Sequence, residues 1–154
     1  MTTTATKADP TATVEAFFDA YRQHDTLAMV DLCTDNADFS YVPFEIWTKQ
    51  RVIRGDGKVA TLGRPMWEGL INSFPDLSNE VHSITASEDG KVAAVVSIGG
   101  CQAKGWGPIT PKGMKYWEPH AFIFDVNDDG KIESLTAYWD SASIYRQLGH
   151  MEVD

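Results

Sequence analysis

Thiols are scarce in this chain. Its 154 residues include two cysteines, Cys33 and Cys101, far apart and in no C-x-x-C or zinc-ligand spacing. That argues against a thiol-based metal or redox centre and leaves both as small buried hydrophobes. Positive charge is short as well. Thirteen lysines and arginines stand against 22 aspartates and glutamates, a net charge of -9. Phosphate binding needs a basic face, so no nucleic acid partner is expected. An anionic membrane surface offers such a chain no attraction either. No apolar stretch nears the roughly 20 residues of a membrane span. The opening MTTTATKADP lacks the basic start and apolar run of a secretory signal. There is no N-x-Ser/Thr acceptor, and a cytoplasmic location is the expectation.

The familiar catalytic motifs are missing too. There is no HExxH, no GxSxG elbow, no phosphate loop, no internal repeat and no low-complexity run. Gly105-Trp106-Gly107 matches half of a dinucleotide fingerprint but follows no strand-to-helix turn. Asp125-Val-Asn127-Asp-Asp129-Gly130 opens like a calcium loop. The twelfth position of that loop should be glutamate and is Thr136, and the flanks are strand-like. A hairpin turn accounts for these residues without a metal. No metal and no cofactor are therefore expected.

What is present is a patterned globular chain. Residues 1–8 read as a flexible N-terminal tail and 9–154 as a single domain. Asp9-Pro10 is a helix start, and Val14, Phe17, Phe18 and Tyr21 continue it at helical spacing to about Gln23. Asp25 can cap a second helix. Ala37 to Val42 reads as a strand that Pro43 interrupts. Val52-Ile53-Arg54 reads as a short strand ended by Gly55-Asp56-Gly57. A third helix covers Pro65 to Phe74 and stops before Pro75. Val81 to Ser87, Lys91 to Ala103, Met114 to Asp125 and Lys131 to Asp140 then read as strands. Glu88-Asp89-Gly90 and Asn127 to Gly130 are the turns among them. Helices followed by consecutive antiparallel strands indicate an α+β fold. N-terminal helices packed on a strongly curved sheet would form a cone with an internal pocket.

The last hairpin is where ionisable groups fall among dense aromatics. If Asp125 faces Lys131, His120 lies opposite Thr136 and Asp140 opposite Tyr116. Tyr116, Glu118, His120, Thr136, Tyr138 and Asp140 then share one face. His120 and Asp140 would sit roughly 13 Å apart, too far for a direct pair but spanned by a ligand. Pro119 implies an edge or a bulge, and a bulge would flip the face beyond it. Asp140 also has a plainer reading as the cap of a helix starting at Ser141-Ala-Ser143. His120 has a plainer reading as a satisfied core residue, and Trp47, Trp67, Trp106, Trp117 and Trp139 as packing.

Four pieces occur in order: Val14-Glu-Ala-Phe-Phe-Asp-Ala-Tyr21, Phe74-Pro-Asp-Leu77, Asp129-Gly-Lys-Ile-Glu133, and Tyr138-Trp-Asp140 followed by Arg146-Gln-Leu-Gly149. Together they resemble the SnoaL-like polyketide cyclases, within the nuclear transport factor two-like cone-fold superfamily. The resemblance spans nearly the whole chain. It implies a helix-lined cone, a deep apolar pocket, a homodimer formed through the sheet, and intramolecular aldol ring closure without metal or cofactor. In that family an aspartate on the last strand is the acid/base, which points to Asp140. A histidine on the preceding strand assists, which points to His120. Against the similar ketosteroid isomerases, Phe17 replaces the oxyanion tyrosine of helix one, and Tyr41 replaces the base aspartate. Against the limonene epoxide hydrolases, Ala93-Ala-Val-Val-Ser97 offers no matching arginine and aspartate.

The expectation is an acid/base enzyme that removes a proton next to the carbonyl of a hydrophobic small molecule. Asp140 and His120 are its candidate catalytic residues. Phe17, Tyr21, Tyr41, Trp47, Trp67, Glu118 and Tyr138 are its candidate ligand contacts. The alternatives are a cone that binds a small molecule without chemistry, an assembly role, or an epoxide hydrolase-like enzyme.

Overall fold

The structure, a computed structural model, describes residues 7–43, 54–107 and 109–150. Helix α1 spans Pro10–Arg22, with Asp9 accepting from Thr11 N and Pro10 in the first turn. One side buries Val14, Phe17, Phe18 and Tyr21. Asp25 caps α2, Thr26–Asp31, by accepting from Ala28 N. Strand β1 (Cys33–Pro43) and strand β2 (Gly55–Lys58) follow. A π-turn over Val59–Gly63 leads into α3, Arg64–Ser73. Then come β3 (Ser78–Ala86), β4 (Lys91–Cys101), β5 (Lys115–Val126), β6 (Ile132–Trp139) and α4 (Ser141–Gln147). The six strands form one curled, open sheet in the order β2-β1-β6-β5-β4-β3. All pairs are antiparallel except β1 with β6. Helices α1 and α3 cover the concave face, which makes the α+β cone.

Two readings of the strands need correction. Gly55-Asp56-Gly57, expected to end a strand, itself forms β2 and pairs with β1. The cause is a cross-strand aromatic. Tyr41 pairs with Gly55, and a Cβ there would come within 2.3 Å of the Tyr41 ring. A glycine under an aromatic is a strand device as much as a breaker. The preceding Val52 and Ile53 lie outside the described residues.

The second correction concerns the β5–β6 register. Asp125 pairs with Ser134 and accepts from its Oγ at 2.7 Å, so it does not face Lys131. Asn127 closes the turn by accepting from Asp129 N and Lys131 N on its Oδ1. The ladder then shifts between Val126↔Ile132 and Asp125↔Ser134, leaving Glu133 as an extra residue on β6. One extra residue turns every later β6 side chain to the other face. His120, Phe122 and Phe124 therefore share the concave face with Leu135, Ala137 and Trp139, not with Thr136 and Tyr138.

Pro119 produces no bulge. The β4–β5 register runs unbroken from Lys91↔Asp125 to Cys101↔Lys115. Pairing with β6 begins only at Ala121, so Pro119 lies where β5 has lost that neighbour. A proline fits there because no ladder bond is forfeited. Gly99 sets the depth of the same region. A Cβ on it would stand 1.8 Å from the Tyr116 carbonyl oxygen, which is backbone and cannot swing away. Gly99→Ala is expected to lower stability by about 1–3 kcal/mol, read as a lower urea midpoint against the parent chain. An unchanged midpoint would contradict this packing.

Candidate functional site

The concave face encloses a cavity of about 310 Å³. Tyr21 reaches it from α1, Phe39 and Tyr41 from β1, and Met66, Trp67 and Leu70 from α3. The sheet adds Ile98, Tyr116, His120, Phe122, Ala137 and Trp139. Trp106 and Gly107 of the β4–β5 connection and Ile144 and Tyr145 of α4 close its remaining side. Among the described residues, no lysine, arginine, aspartate or glutamate lines it.

His120 is held within an aromatic stack that crosses three strands. Tyr41 stacks on Trp139 at 5.8 Å between centroids, Trp139 on His120 at 5.8 Å, and His120 on Phe122 at 6.0 Å. Phe122 continues to Phe124 at 6.0 Å. Interplanar angles of 14° to 28° keep the rings nearly parallel. Such a wall shields the imidazole from much of the water around it, although the ring itself is half-buried where it borders the cavity. Burial therefore holds its pKa down at about 4, against a smaller opposing effect of its bond to the Glu118 carbonyl. That bond, Nδ1 to Glu118 O at 2.8 Å, also fixes the tautomer. A carbonyl can only accept, so Nδ1 carries the hydrogen and Nε2 keeps a bare lone pair. The ring is thus neutral at pH 7, with its accepting nitrogen free of any protein partner among the described residues.

The other candidates are distributed as follows. Tyr21, Tyr41 and Trp67 line the cavity with His120. Phe17 is fully buried behind them, edge-on to Trp67 and Phe124, and is not a lining residue. Tyr138 lies on the other face of β6, a consequence of the extra residue Glu133. Glu118 points inward but is spanned by α4, accepting from Ser143 Oγ at 2.7 Å and Gln147 Nε2 at 2.8 Å. Asp140 is the N-cap of α4: its Oδ1 accepts from Ser143 N at 3.0 Å, and it does not line the cavity. Trp47 lies outside the described residues. Sequence reasoning missed Phe122 and Tyr145 as lining residues and took Trp106 and Trp139 for packing. The correct register would have put Trp139 directly across from His120.

Elsewhere, burial pushes the Cys33 thiol up to about 12, which suits an inert core residue. Among the described residues, no group of three His, Cys, Asp or Glu side chains could hold a metal ion. No helix among them is long and apolar enough to cross a membrane.

A sequence profile described as a SnoaL-like domain matches residues 14–135. A search of curated proteins finds no match. Among solved structures, the chain is similar to AclR, a proposed hydroxylase from Streptomyces galilaeus. The two are 18% identical over 92% of this chain and 96% of that one, with a TM-score of 0.75. It is similar to wild-type IdmH, a proposed polyketide cyclase from Streptomyces antibioticus, at 20% identity over 93% and 100%, TM-score 0.72. A proposed SnoaL-like polyketide cyclase from Jannaschia sp. CCS1 is 15% identical over 98% and 99%, TM-score 0.75. At these identities the structural likeness establishes the cone fold.

The depressed His120 pKa has a stability consequence. The unfolded ring takes its proton near pH 6.5 and the folded ring only near 4. Between those values the unfolded chain binds more protons, so stability falls as pH falls through that window. The loss attributable to His120 approaches about 3 kcal/mol at pH 4. Urea unfolding at pH 7, 5.5 and 4 is expected to show it, and His120→Phe to remove that part of the decline. Equal pH slopes for parent and variant would mean the ring is not held neutral.

Proposed function

The chain belongs to the SnoaL-like domain family, and from that membership and the chemistry of the cavity we propose an enzyme of acid/base type. Its substrate is a hydrophobic small molecule bearing a carbonyl, and its reaction begins with removal of a proton from the neighbouring carbon. The observation that carries the reading is the bare Nε2 of a neutral histidine inside an aromatic cavity. A low-pKa imidazole stays unprotonated throughout the physiological range, and once protonated it is a strong acid that returns its proton readily. Proton removal and redelivery at a second atom is the common core of isomerisation and aldol closure. Nothing of this needs a metal or cofactor to be supplied by the chain.

We assign the base to His120 rather than Asp140. Asp140 spends one carboxylate oxygen on the cap of α4 and stands outside the cavity lining. The absence of any carboxylate among the described lining residues also supports a second reading, a cone that binds an apolar ligand without turning it over. The proposal further includes a homodimer through the outer sheet face. Val95 and Trp117 support it, exposed at 43% and 45% on the same side of β4 and β5.

Proton exchange tests the reading without knowledge of the natural substrate. In D2O, 2-tetralone should acquire deuterium next to its carbonyl faster with the protein than without, followed by mass spectrometry. His120→Gln should lower that acceleration by about 10²–10⁴-fold. Asp140→Asn should leave it within a few fold, because asparagine caps a helix as well as aspartate does. The acid limb of the rate profile should fall near pH 4 rather than 6.5. Loss in Asp140→Asn with retention in His120→Gln would transfer the role to Asp140. Tight binding with no exchange would favour the binding module. For the assembly, light scattering should give twice the chain mass, reduced to one chain by Trp117→Asp. A monomeric parent would refute the dimer.

A further inference from the structure

Gln147 belongs to a piece of the sequence that the chemistry of the cavity has not used, Arg146-Gln-Leu-Gly149. From Lys115 to His120, β5 has no paired residue on β6, and α4 packs there instead. Pro119 has no backbone N–H to satisfy in this stretch. The N–H of Trp117 does need a partner, and Gln147 Oε1 accepts it at 2.8 Å. Through Nε2 the same amide donates to Glu118 Oε2 at 2.8 Å and to Ser143 Oγ at 3.2 Å. Ser143 Oγ in turn donates to Glu118 Oε2 at 2.7 Å. These partners fix which way round the amide sits, since a backbone N–H can only donate and a carboxylate only accept. Gln147 thus grips two consecutive residues of β5, Trp117 by its backbone and Glu118 by its side chain. The carbonyl of Glu118 is the acceptor that meets Nδ1 of His120 at 2.8 Å.

We propose that Gln147 is a positioning residue for His120, acting through Glu118. The clamp holds Glu118 by its carboxylate and by the residue before it, and Pro119 restricts the backbone after it. Together they fix the direction of the Glu118 carbonyl, and that carbonyl fixes the tautomer of the ring. Nδ1 keeps the hydrogen while an acceptor faces it. A carbonyl that swings away lets the hydrogen pass to Nε2, and an Nε2 that carries a hydrogen cannot take a proton from a ligand. Gln147 does not line the cavity, so its effect runs through β5. Its helix does supply Ile144 and Tyr145 to the cavity wall. One short helix therefore closes the cavity and sets the form of its base. This rests on the reading of His120 as the base, and it goes further by naming what holds that base in its working tautomer.

Two variants separate these hydrogen bonds from packing. Gln147→Met keeps the length of the side chain and removes its amide. The swap Glu118→Gln with Gln147→Glu exchanges amide and carboxylate, so position 147 still accepts from Trp117 N and position 118 now donates to it. Ring nitrogen-15 shifts read the His120 tautomer with no ligand present. Gln147→Met should place the hydrogen on Nε2 in a measurable share of molecules, and the swap should return it to Nδ1. In deuterium exchange of 2-tetralone, Gln147→Met should lower kcat by about 10-fold with KM unchanged, and the swap should recover most of that loss. If Gln147→Met does not fold, Gln147→Glu alone serves as the broken clamp, because it sets two carboxylates against each other. A folded broken-clamp variant with the parent's ring shifts would overturn the positioning role and leave His120 as the base. A swap that behaves like the broken clamp would overturn it as well. If the parent exchanges no deuterium, the base reading falls, while the ring shifts still decide the clamp.

Discussion

The stack of Tyr41, Trp139, His120 and Phe122 is the contact on which the cavity depends. It does two things with one geometry. It joins β1, β6 and β5 across the concave face, and it shields the half-buried ring of the only imidazole lining the cavity among the described residues. A histidine in water would share its proton evenly near pH 6.5. Between an indole and a phenyl ring, with one nitrogen committed to the Glu118 carbonyl, it becomes a neutral acceptor instead. The rest of the cavity is consistent with that choice. Its lining is aromatic and aliphatic, and among the described residues no lysine, arginine, aspartate or glutamate lines it to compete for the ligand.

The stack exists because of one irregularity at the far end of the hairpin. Glu133 is an unpaired extra residue on β6, and beyond it the strand presents Leu135, Ala137 and Trp139 to the inside. Without it, Thr136 and Tyr138 would stand across from the even-numbered residues of β5, and His120 would face a hydroxyl rather than an indole. Packing explains why the chain pays for a bulge here. Trp139 is 7% exposed and Ala137 5%, so the alternative register would turn a buried tryptophan outward. The helix after the strand follows from the same placement. Once Trp139 turns inward, Asp140 falls at the strand end, where its carboxylate caps Ser141–Gln147.

Much of this could be read from the chain. The Asp9-Pro10 start, the Asp25 cap, and the apolar spacing of Val14, Phe17, Phe18 and Tyr21 are local signals, and local structure obeys them. The order of elements and the cone were legible from helices preceding strands and from the family pieces. Tyr21, Tyr41, Trp67 and His120 were named from residue type and strand phase, and they do border one cavity. What escaped was long-range. Gly55 looks like a breaker until Tyr41 is known to lie over it. The hairpin register turned on one extra residue, Glu133, beside a Ser134–Asp125 side-chain bond, and neither is announced by the turn residues. Asp140 carried two readings, cap and acid/base, and the structure shows the cap, its Oδ1 accepting from Ser143 N.

His120 stands in this cavity as a neutral, Nδ1-protonated acceptor at working pH. Nitrogen-15 NMR of the ring reads this directly. The expected spectrum shows one protonated nitrogen at Nδ1, a bare Nε2, and no titration until the pH nears 4. A ring that is charged at pH 7, or one carrying its hydrogen on Nε2, would contradict it.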